Sequence, residues 1–406
     1  MHLSTQATLT GAELAAVALM RALTQLMFGR PPAFHDFPQR HEGASAAIGA
    51  GFRHVLGLRS LNQLQTYVTD FEQSFARHLG VAHAIGQASG TSALHLALRQ
   101  AGVGPGTEVV TVANTWVTTL TVIHELGAKC CFVDIDPATG LMDASGLQQA
   151  ITPRTAVILP VHMYGSMAPM REILRIARDH GLRVVEDACQ GIGASLEGRA
   201  AGTWGDVGCF SFHATKLVGA PCDGGMVVTD RADVAQALRH DAVVDWALAL
   251  VTPQPCVPSR LSPLAVPFLA ANLSALTRNV SLRRDQVSVY QHLLQGVPGA
   301  RLLISPEGVS PAHRNCILVS PHKAAILAAC RADGLPVEEI YPGSHMLVER
   351  MQADGAVLPC TVALARDHLA LPLGRQVGKR LQARLVNVIQ RASRVPQVAV
   401  SAGVQA

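Results

Sequence analysis

The stretch VVEDACQGIGASLEGRAAGTWGDVGCFSFHATK, residues 184–216, decides the fold of this chain. Its first residues form a short apolar run that ends in the acidic pair Glu186-Asp187, and a second apolar run, residues 208–212, ends shortly before Lys216. Short apolar runs bounded by glycine-rich turns are typical of buried strands. An acid and a lysine that each follow a buried strand predict a site at the carboxyl edge of a parallel sheet.

The same pattern continues on both sides of this stretch. Strand-like apolar runs occur at residues 108–113, 131–135, 156–161, 183–186, 208–212 and 225–229. Residues 115–126 and 168–180 have helical character, and Gly181 is a typical stop for the second helix. Strands that alternate with helices predict an α/β fold with a mostly parallel sheet covered on both faces.

The length of 406 residues exceeds what one ordinary hydrophobic core organises, and this predicts two domains. A proline-rich stretch, residues 251–267, interrupts the alternation, and a long helical segment, residues 270–294, follows it. We therefore expect an N-terminal extension at 1–30, a large α/β domain at 31–255 and a smaller α+β domain at 256–406.

The composition is that of a globular protein, with 49% hydrophobic and 15% charged residues. The net charge of +4 is small, and the sequence contains no run of five like charges. We therefore expect no nucleic-acid partner. Nine cysteines without a Cys-x-x-Cys spacing indicate reduced thiols and a cytoplasmic location. No His-Glu-x-x-His motif occurs among the 17 histidines, so no metal site is predicted.

An apolar segment near the start, residues 12–28, includes Glu13 and Arg21. It is short for a membrane span, and it lacks a basic start and a small-residue cleavage site. We expect an amphipathic helix that packs on the domain or on a partner, rather than a signal peptide, and no membrane association.

A small polar turn, Ser89-Gly90-Thr91-Ser92, opens a segment rich in Ala and Leu. The free N–H groups and the positive end of a helix at this point suit a phosphate group. The alternative is structural, with Thr91 or Ser92 serving as a simple N-cap. The turn is not a Walker A loop, and the chain contains no G-x-G-x-x-G motif.

Three further residues have both a chemical and a structural explanation. Trp116 follows the strand at 108–113, where it suits either stacking on a flat ring or ordinary core packing. Asp187 is either a ligand-binding acid or an ordinary strand-end acid. Lys216 follows apolar residues whose desolvation favours a neutral, nucleophilic amine, although a surface lysine is the alternative.

The order of these motifs along the chain is more informative than any one of them. A phosphate turn, an aromatic residue, an acid and a Ser-x-x-x-x-Lys segment from Ser211 to Lys216 follow one another. Pyridoxal 5′-phosphate needs a phosphate anchor, a stacking face, a carboxylate for its ring nitrogen and a lysine for its aldehyde. The sequence therefore predicts a site for this cofactor.

At this level the chain resembles the DegT/DnrJ/EryC1/StrS family of sugar and aminocyclitol aminotransferases, which depend on pyridoxal phosphate. The resemblance covers residues 31–388. It is carried by PPAFHDFPQR, TDFEQSFARHLG, SGTSALHLAL, ITPRTAVILPVHMYG, the stretch 184–216, GGMVVT, Tyr341-Pro342-Gly343-Ser344-His345 and Leu369-Ala370-Leu371-Pro372. It implies fold type I, the aspartate aminotransferase-like fold, with a large α/β domain and a smaller C-terminal α+β domain.

The resemblance implies two catalytic residues. Lys216 aligns with the lysine that forms the Schiff base and then moves a proton on the substrate. Asp187 aligns with the acid at the pyridinium nitrogen, whose charge keeps the ring protonated.

The remaining residues implied by the resemblance bind the cofactor. Gln190 aligns with the residue near the ring hydroxyl, and Trp116 aligns with the aromatic residue that stacks on the ring. Ser211 aligns with a phosphate ligand, as does the turn at Gly90 and Thr91.

The family resemblance also implies an activity, transfer of an amino group from glutamate or glutamine to a keto-sugar or a keto-cyclitol. The setting would be antibiotic or polysaccharide biosynthesis, and PPAFHDFPQR favours the aminocyclitol and aminobenzoate branch. We also expect a homodimer with its active sites at the subunit interface.

Two other functions remain open at this stage. One is a different pyridoxal phosphate reaction, such as elimination or dehydration, although the family members that dehydrate sugars replace the lysine with histidine. The other is a degenerate member that binds or regulates, against which the joint retention of Lys216, Asp187, Gln190 and Ser211 argues.

The chain departs from the family pattern in three places. Pro258 stands where the family has an asparagine that reaches the cofactor phosphate of the neighbouring subunit, and proline offers no side-chain donor. The loop at 217–225 is longer and more apolar than the family's Gly-Glu-Gly-Gly loop, and residues 243–257 are unusual. These changes predict an unusual acceptor or a reaction other than plain transamination.

Overall fold

The computed structural model describes residues 41, 43–241, 259–305, 308, 310, 315–340 and 355–394. The strands are β1 (His83–Gln87), β2 (Glu108–Val112), β3 (Lys129–Val133), β4 (Thr155–Ile158), β5 (Arg183–Asp187), β6 (Ser195–Leu196), β7 (Arg199–Ala200), β8 (Val207–Ser211), β9 (Gly225–Thr229), β10 (Arg301–Leu302), β11 (Asn315–Val319) and β12 (His368–Pro372). The helices are α1 (Ser45–Gly57), α2 (Leu61–Leu79), α3 (Gly90–Gln100), α4 (Val117–Glu125), α5 (Leu147–Ala150), α6 (Met170–Asp179), α7 (Ala232–Asp241), α8 (Val266–Ser274), α9 (Leu276–Leu293), α10 (Lys323–Ala332), α11 (Pro359–Asp367) and α12 (Lys379–Ala392). Short 3₁₀ turns occur at Ala144–Gly146 and Met163–Gly165.

A seven-stranded sheet forms the centre of the molecule, in the order β1-β9-β8-β5-β4-β2-β3. Strand β9 runs antiparallel to β1 and β8, and the other neighbouring strands are parallel. The predicted strand at 225–229 has those bounds, and the other five predicted strands overlap observed ones. The predicted fold class, a mostly parallel α/β sheet, is confirmed.

Both faces of this sheet are covered, as its nearly continuous apolar strands require. Along β1, Ala84 lies in a core that contains Phe75 and Phe212, whereas the next residue, Ile85, lies in a core that contains Leu94. Successive strand residues point to opposite faces, so the two cores lie on opposite sides of the sheet. The carboxyl ends of the parallel strands remain as the edge where a ligand can reach the backbone.

A second sheet, antiparallel and in the order β10-β11-β12, has its own core. Helices α9 and α12 pack against it through Tyr290, Leu318 and Leu385. A separate core agrees with a smaller C-terminal domain. The bounds 31–255 and 256–406 stay a prediction, since the expected boundary falls outside the described residues.

The helix predicted at 270–294 was wrong in its extent, because two helices occupy this region. Helix α8 ends at Ser274 and α9 begins at Leu276, with Ala275 between them at φ −92° and ψ −2°. Helix α8 packs Phe268 into the core of the large sheet. Helix α9 reaches both cores, because Leu276 at its start lies in the core of the large sheet and Tyr290 lies in the core of the small sheet.

Several predicted features lie outside the described residues: the N-terminal extension at 1–30 with its apolar segment, PPAFHDFPQR, the segment 243–257, Pro258 and residues 341–345. Within the described part of the chain, no helix combines the length and the apolar character needed to cross a lipid bilayer. The same residues contain no cluster of three or more His, Cys, Asp or Glu side chains placed to hold a metal ion.

Candidate active site

A cavity of about 320 Å³ lies at the carboxyl ends of β2, β5 and β8. All seven residues singled out from the sequence line it: Gly90, Thr91, Trp116, Asp187, Gln190, Ser211 and Lys216. Ile317 of β11 and Ile340 also line this cavity, so the region around the small sheet contributes part of the wall. The structure thus brings together residues that are spread over more than a hundred positions of the sequence.

Asp187 is the last residue of β5 and is almost completely buried, with 4% of its surface exposed. Its N–H donates to the carbonyl oxygen of Pro160 at 2.9 Å, which fixes the backbone at the strand end. Its Oδ1 accepts a hydrogen bond from the N–H of Cys189 at 3.1 Å, and its Oδ2 accepts one from the hydroxyl of Thr119 at 2.8 Å. Both carboxylate oxygens therefore have a donor that sets the plane of the group.

On the other face of β5, a fully buried pair, His162 and Glu186, anchors the strand. The N–H of Ala168 donates to His162 Nδ1 at 3.1 Å, so the ring proton lies on Nε2, which is 2.7 Å from Glu186 Oε2. The Glu186 carboxylate also accepts hydrogen bonds from backbone N–H groups, including that of Gly202 at 2.8 Å. This network holds β5 against the turn that precedes β8.

Gln190 is oriented by the backbone of Tyr164, whose N–H donates to Gln190 Oε1 at 3.2 Å. Tyr164 has φ +58° and ψ 16°, a left-handed conformation that is uncommon for a bulky residue and typical of functional sites. The Tyr164 hydroxyl donates to Asn114 Oδ1 at 3.0 Å. Since Oε1 accepts this backbone hydrogen bond, Nε2 is the donor end of the Gln190 amide.

Helix α3 begins at Gly90, and Ser89 is its N-cap. The Ser89 hydroxyl accepts from the N–H of Ser92 at 3.1 Å, and the Ser92 hydroxyl accepts from the N–H of Ser89 at 2.9 Å. This capping box corrects the structural alternative that made Thr91 or Ser92 the N-cap, because the cap lies one turn earlier. Among the described residues, the N–H groups of Gly90 and Thr91 have no acceptor, so they can bind an anion.

The start of α3 lies in direct contact with the end of β8. A Cβ atom on Gly90 would lie 2.7 Å from the Ser211 Cβ and 3.0 Å from the Cys189 Sγ. Gly225 approaches the same turn, since a Cβ atom there would lie 2.2 Å from the carbonyl oxygen of Ser89. Two backbone N–H groups and the Ser211 side chain thus form a cradle of the kind that a phosphate group fits.

Lys216 follows β8 in a tight turn, in which its N–H donates to the carbonyl oxygen of His213 at 2.8 Å. A Cβ atom on Gly219 would lie 2.6 Å from that same oxygen and 2.9 Å from the carbonyl oxygen of Lys216. The side chain of Asn272 on α8 donates to the Gly219 carbonyl oxygen at 2.7 Å. The turn that carries the lysine is therefore fixed by contacts from two directions.

The apolar character of the loop at 217–225 has a structural cause. Leu217 and Val218 are buried in the core that contains Phe212, so these apolar residues anchor the loop to the core of the large sheet. Asp223, by contrast, is exposed and lines the cavity. The departure from the family pattern thus combines added core packing with one acidic group at the cavity wall.

Trp116 is the N-cap residue of α4 and is 50% exposed, while it lines the cavity. Ordinary core packing, the alternative raised from the sequence, does not describe a side chain of this exposure. The position suits contact with a bound ring.

Sequence reasoning missed several residues of this site, above all Thr119, Tyr164 and His213. Thr119 lies one turn after Trp116, so helical spacing from the aromatic residue was the available signal. His213 lies in the Ser-x-x-x-x-Lys segment itself, and its Nδ1 is 2.9 Å from the Thr215 hydroxyl. Tyr164 had no comparable signal, because its role depends on a backbone conformation.

Comparison with known proteins gives a consistent picture. The model of the DegT/DnrJ/EryC1/StrS aminotransferase family matches residues 46–390. The chain is 36% identical, over 326 residues, to UDP-N-acetyl-3-dehydro-alpha-D-glucosamine 3-aminotransferase of Acidithiobacillus ferrooxidans, covering 77% of this chain and 85% of the relative. It is 35% identical, over 337 residues, to dTDP-3-amino-3,4,6-trideoxy-alpha-D-glucose transaminase of Micromonospora megalomicea, covering 80% and 88%.

Solved structures agree with these sequence relatives. The fold is similar to that of a DegT DnrJ EryC1 StrS aminotransferase from Brucella abortus, with a TM-score of 0.80 and 26% identity. The match covers 89% of this chain and 99% of the Brucella chain.

Proposed function

Because this chain belongs to the DegT/DnrJ/EryC1/StrS aminotransferase family and is a pyridoxal phosphate-dependent aminotransferase of fold type I, we propose that its cofactor and substrates meet in the cavity at the ends of β2, β5 and β8. The observation that carries this proposal is the convergence on one cavity of the seven residues chosen from the sequence. Residues scattered along the chain have no other reason to meet there.

The cavity offers a separate group for each part of the cofactor. The N–H groups of Gly90 and Thr91, together with Ser211, bind the phosphate, and the positive end of α3 favours its charge. The Trp116 indole covers one face of the ring. Gln190 presents the donor end of its amide to the ring hydroxyl, since its oxygen accepts from the backbone.

Two residues would carry the chemistry. When bound, the cofactor supplies an aldehyde that combines with amines and a ring that withdraws electrons from the reacting carbon. Asp187 holds a proton at the ring nitrogen, because a buried carboxylate stabilises a positive charge beside it. Lys216 binds the cofactor between reactions and acts as the general base that moves a proton during transfer.

We infer that the amino donor is glutamate or glutamine and that the acceptor is a keto-sugar in polysaccharide or antibiotic biosynthesis. The support for the acceptor comes from two relatives, one acting on a UDP-linked 3-dehydro sugar and one named as a dTDP-amino-sugar transaminase. The residues PPAFHDFPQR favour a keto-cyclitol as the second candidate acceptor.

We also propose that the protein is a cytoplasmic homodimer with its active sites at the subunit interface. Trp116, which lines the cavity, and its neighbour Val117 are large apolar residues that are 50% and 46% exposed, and a second subunit would cover them. Pro258 would then leave the partner's cofactor phosphate without the side-chain contact typical of the family. A monomer in light scattering at micromolar concentration would contradict the dimer.

The decisive experiment is the absorbance spectrum of the purified protein before and after glutamate or glutamine is added. We expect a yellow protein whose visible band disappears with the donor, while a near-ultraviolet band of the aminated cofactor grows. A yellow protein indifferent to both donors would reject the proposed donors. A colourless protein that cannot be reconstituted with pyridoxal phosphate would reject the site.

The acceptor can be identified in the reverse half of the same assay. Aminated enzyme, freed of donor, is mixed with a nucleotide-linked keto-sugar or with a keto-cyclitol, and the return of the visible band is followed. We expect the keto-sugar to restore the band. Restoration by the keto-cyclitol alone would replace the first candidate acceptor with the second.

A further inference from the structure

Helix α4 contributes to the site a buried hydroxyl that contacts the acid Asp187. The Thr119 Oγ1 donates to Asp187 Oδ2 at 2.8 Å, and Thr119 is 1% exposed. We propose that Thr119 is a positioning residue, which holds the Asp187 carboxylate in the orientation that pairs with the ring nitrogen of the cofactor. This inference rests on the proposed placement of the cofactor.

The hydrogen bonds through Thr115 and Thr119 run in one direction. The Thr115 Oγ1 donates to the Thr119 Oγ1 at 2.9 Å. A hydroxyl group has a single proton, so Thr119 accepts from Thr115 and directs its own proton to Asp187. The two hydroxyls therefore donate in series toward Asp187. The bond from Thr119 to Asp187 is the stronger of the two, because its acceptor is charged.

Two donors limit the rotation of the Asp187 carboxylate. The N–H of Cys189 donates to Asp187 Oδ1 at 3.1 Å, and Thr119 donates to the other oxygen. With both donors the plane of the carboxylate is defined. With the Cys189 donor alone the group can rotate about the bond to its Cβ atom, and a buried charge loses a partner.

Both hydroxyls lie at the start of α4. Thr115 and Thr119 are four residues apart, on either side of Trp116, the N-cap residue of this helix. Trp116 and Thr119 both line the cavity, but Trp116 is half exposed whereas Thr119 is buried with its hydroxyl on Asp187. One helical turn thus sets the position of the stacking face and the orientation of the acid together.

The test compares three variants of the full-length protein. Thr119→Val keeps the shape and removes the hydroxyl, and Thr119→Ser keeps the hydroxyl. Thr121→Val is the matched control, because Thr121 is exposed and, within the described part of the chain, its hydroxyl bonds only to Val117 on its own helix. Each protein is loaded with pyridoxal phosphate labelled with ¹⁵N in the ring, and the ¹⁵N chemical shift reports protonation of the ring nitrogen.

We expect Thr119→Val to lose part of the ring protonation and to bind pyridoxal phosphate about tenfold more weakly, because a carboxylate free to rotate pairs less well with the ring nitrogen and that pairing is a hydrogen bond to a charged group. Thr119→Ser and Thr121→Val should match the wild type in both measurements. A Thr119→Val protein with unchanged ring protonation and unchanged affinity would overturn the inference, even if its stability fell.

The design also separates this inference from the proposed function. A wild-type protein that binds no pyridoxal phosphate would reject both, whereas a protonated wild-type ring unaffected by Thr119→Val would reject only the positioning role. If Thr119→Val does not fold, Thr115→Val decides the question, because it leaves the Thr119 hydroxyl but removes the donor that directs it. A smaller shift in the same direction is expected from Thr115→Val, and no shift would count against the proposal.

Discussion

Gly90 and Ser211 lie so close together that a methyl group on Gly90 would be 2.7 Å from the Ser211 Cβ. Real Cβ atoms do not approach each other to this distance, so position 90 admits glycine alone without a shift of α3 or β8. The contact joins the first turn of α3 to the end of β8, which are the two elements of the phosphate cradle.

Gly90→Ala is therefore expected to weaken binding of pyridoxal phosphate by about tenfold or more, since separating the two elements costs at least one hydrogen bond to the phosphate. Fluorescence titration of the apoprotein measures this affinity. Helix propensity cannot explain a loss, because alanine favours a helix more than glycine does.

The matched control is Gly104→Ala, because a Cβ atom on Gly104 meets no atom within 4 Å. Its affinity should equal that of the wild type. Equal affinity in Gly90→Ala would show that the cradle tolerates the added methyl group, and that phosphate binding does not depend on this contact.

Lys216→Ala should abolish turnover, because no other residue is expected to supply the amine that binds the cofactor and moves the proton. The spectrum is informative as well, since the visible band that depends on the lysine should be lost although the phosphate cradle remains. Transfer is measured as release of 2-oxoglutarate from glutamate. Full activity in Lys216→Ala would contradict the assignment of the site.

Asp187→Asn should lower turnover by about a hundredfold or more, the scale that general acid–base groups contribute. Asparagine keeps the shape of the side chain but supplies only one oxygen for the two donors, Cys189 and Thr119, and carries no charge to stabilise a protonated ring. Asp179→Asn on the surface of α6 is the control, since Asp179 is exposed and forms an ion pair with Arg175 one turn away. Near-normal turnover in Asp187→Asn would mean that another acid serves the ring nitrogen.

Much of the site could be predicted because its residues follow strand ends. Asp187 ends β5 and Ser211 ends β8, and parallel strands bring their carboxyl ends to one edge whatever the details of packing. Glycine boundaries were equally informative, since the strand Gly225–Thr229 begins at a glycine that the turn at Ser89 requires. At these strand ends, the local sequence pattern and the order of strands in the sheet predict the same site.

Other features depend on contacts that sequence patterns do not contain. The helix break at Ala275 has no proline or glycine to mark it. The bond from Thr119 to Asp187 spans 68 positions of the chain. Tyr164 is in a left-handed conformation that nothing in its side chain predicts.

Gln190→Glu tests the orientation of the Gln190 amide. Glutamate can still accept the hydrogen bond from the Tyr164 N–H, but it replaces the amide donor with a carboxylate oxygen. A negative charge beside the bound cofactor stabilises the protonated form of the chromophore, so the pH midpoint of its visible band should move upward. Gln190→Met, which removes the donor without adding charge, should give a smaller shift, and an unshifted midpoint in both variants would place the amide away from the ring.

The buried cysteines should differ from Cys222 in their reaction with an alkylating reagent. Burial raises the pKa of the Cys316 thiol to about 12 and that of the Cys330 thiol to about 11. Cys222 is exposed, and partial burial of its side chain also raises its pKa. The thiolate is the nucleophile, and a thiol stays mostly protonated at any pH below its pKa. A raised pKa therefore lowers the reactivity of the thiol.

Iodoacetamide at pH 8 should therefore modify Cys222 well before Cys316 or Cys330, as followed by mass spectrometry of peptides. The rate at Cys222 should rise with pH, since more thiolate forms, while Cys316 and Cys330 stay protected as long as the fold persists. Denatured protein provides the control, because exposure should make all three thiols react at similar rates. Rapid labelling of Cys316 in the native protein would contradict its place in the core of the small sheet beside Tyr290.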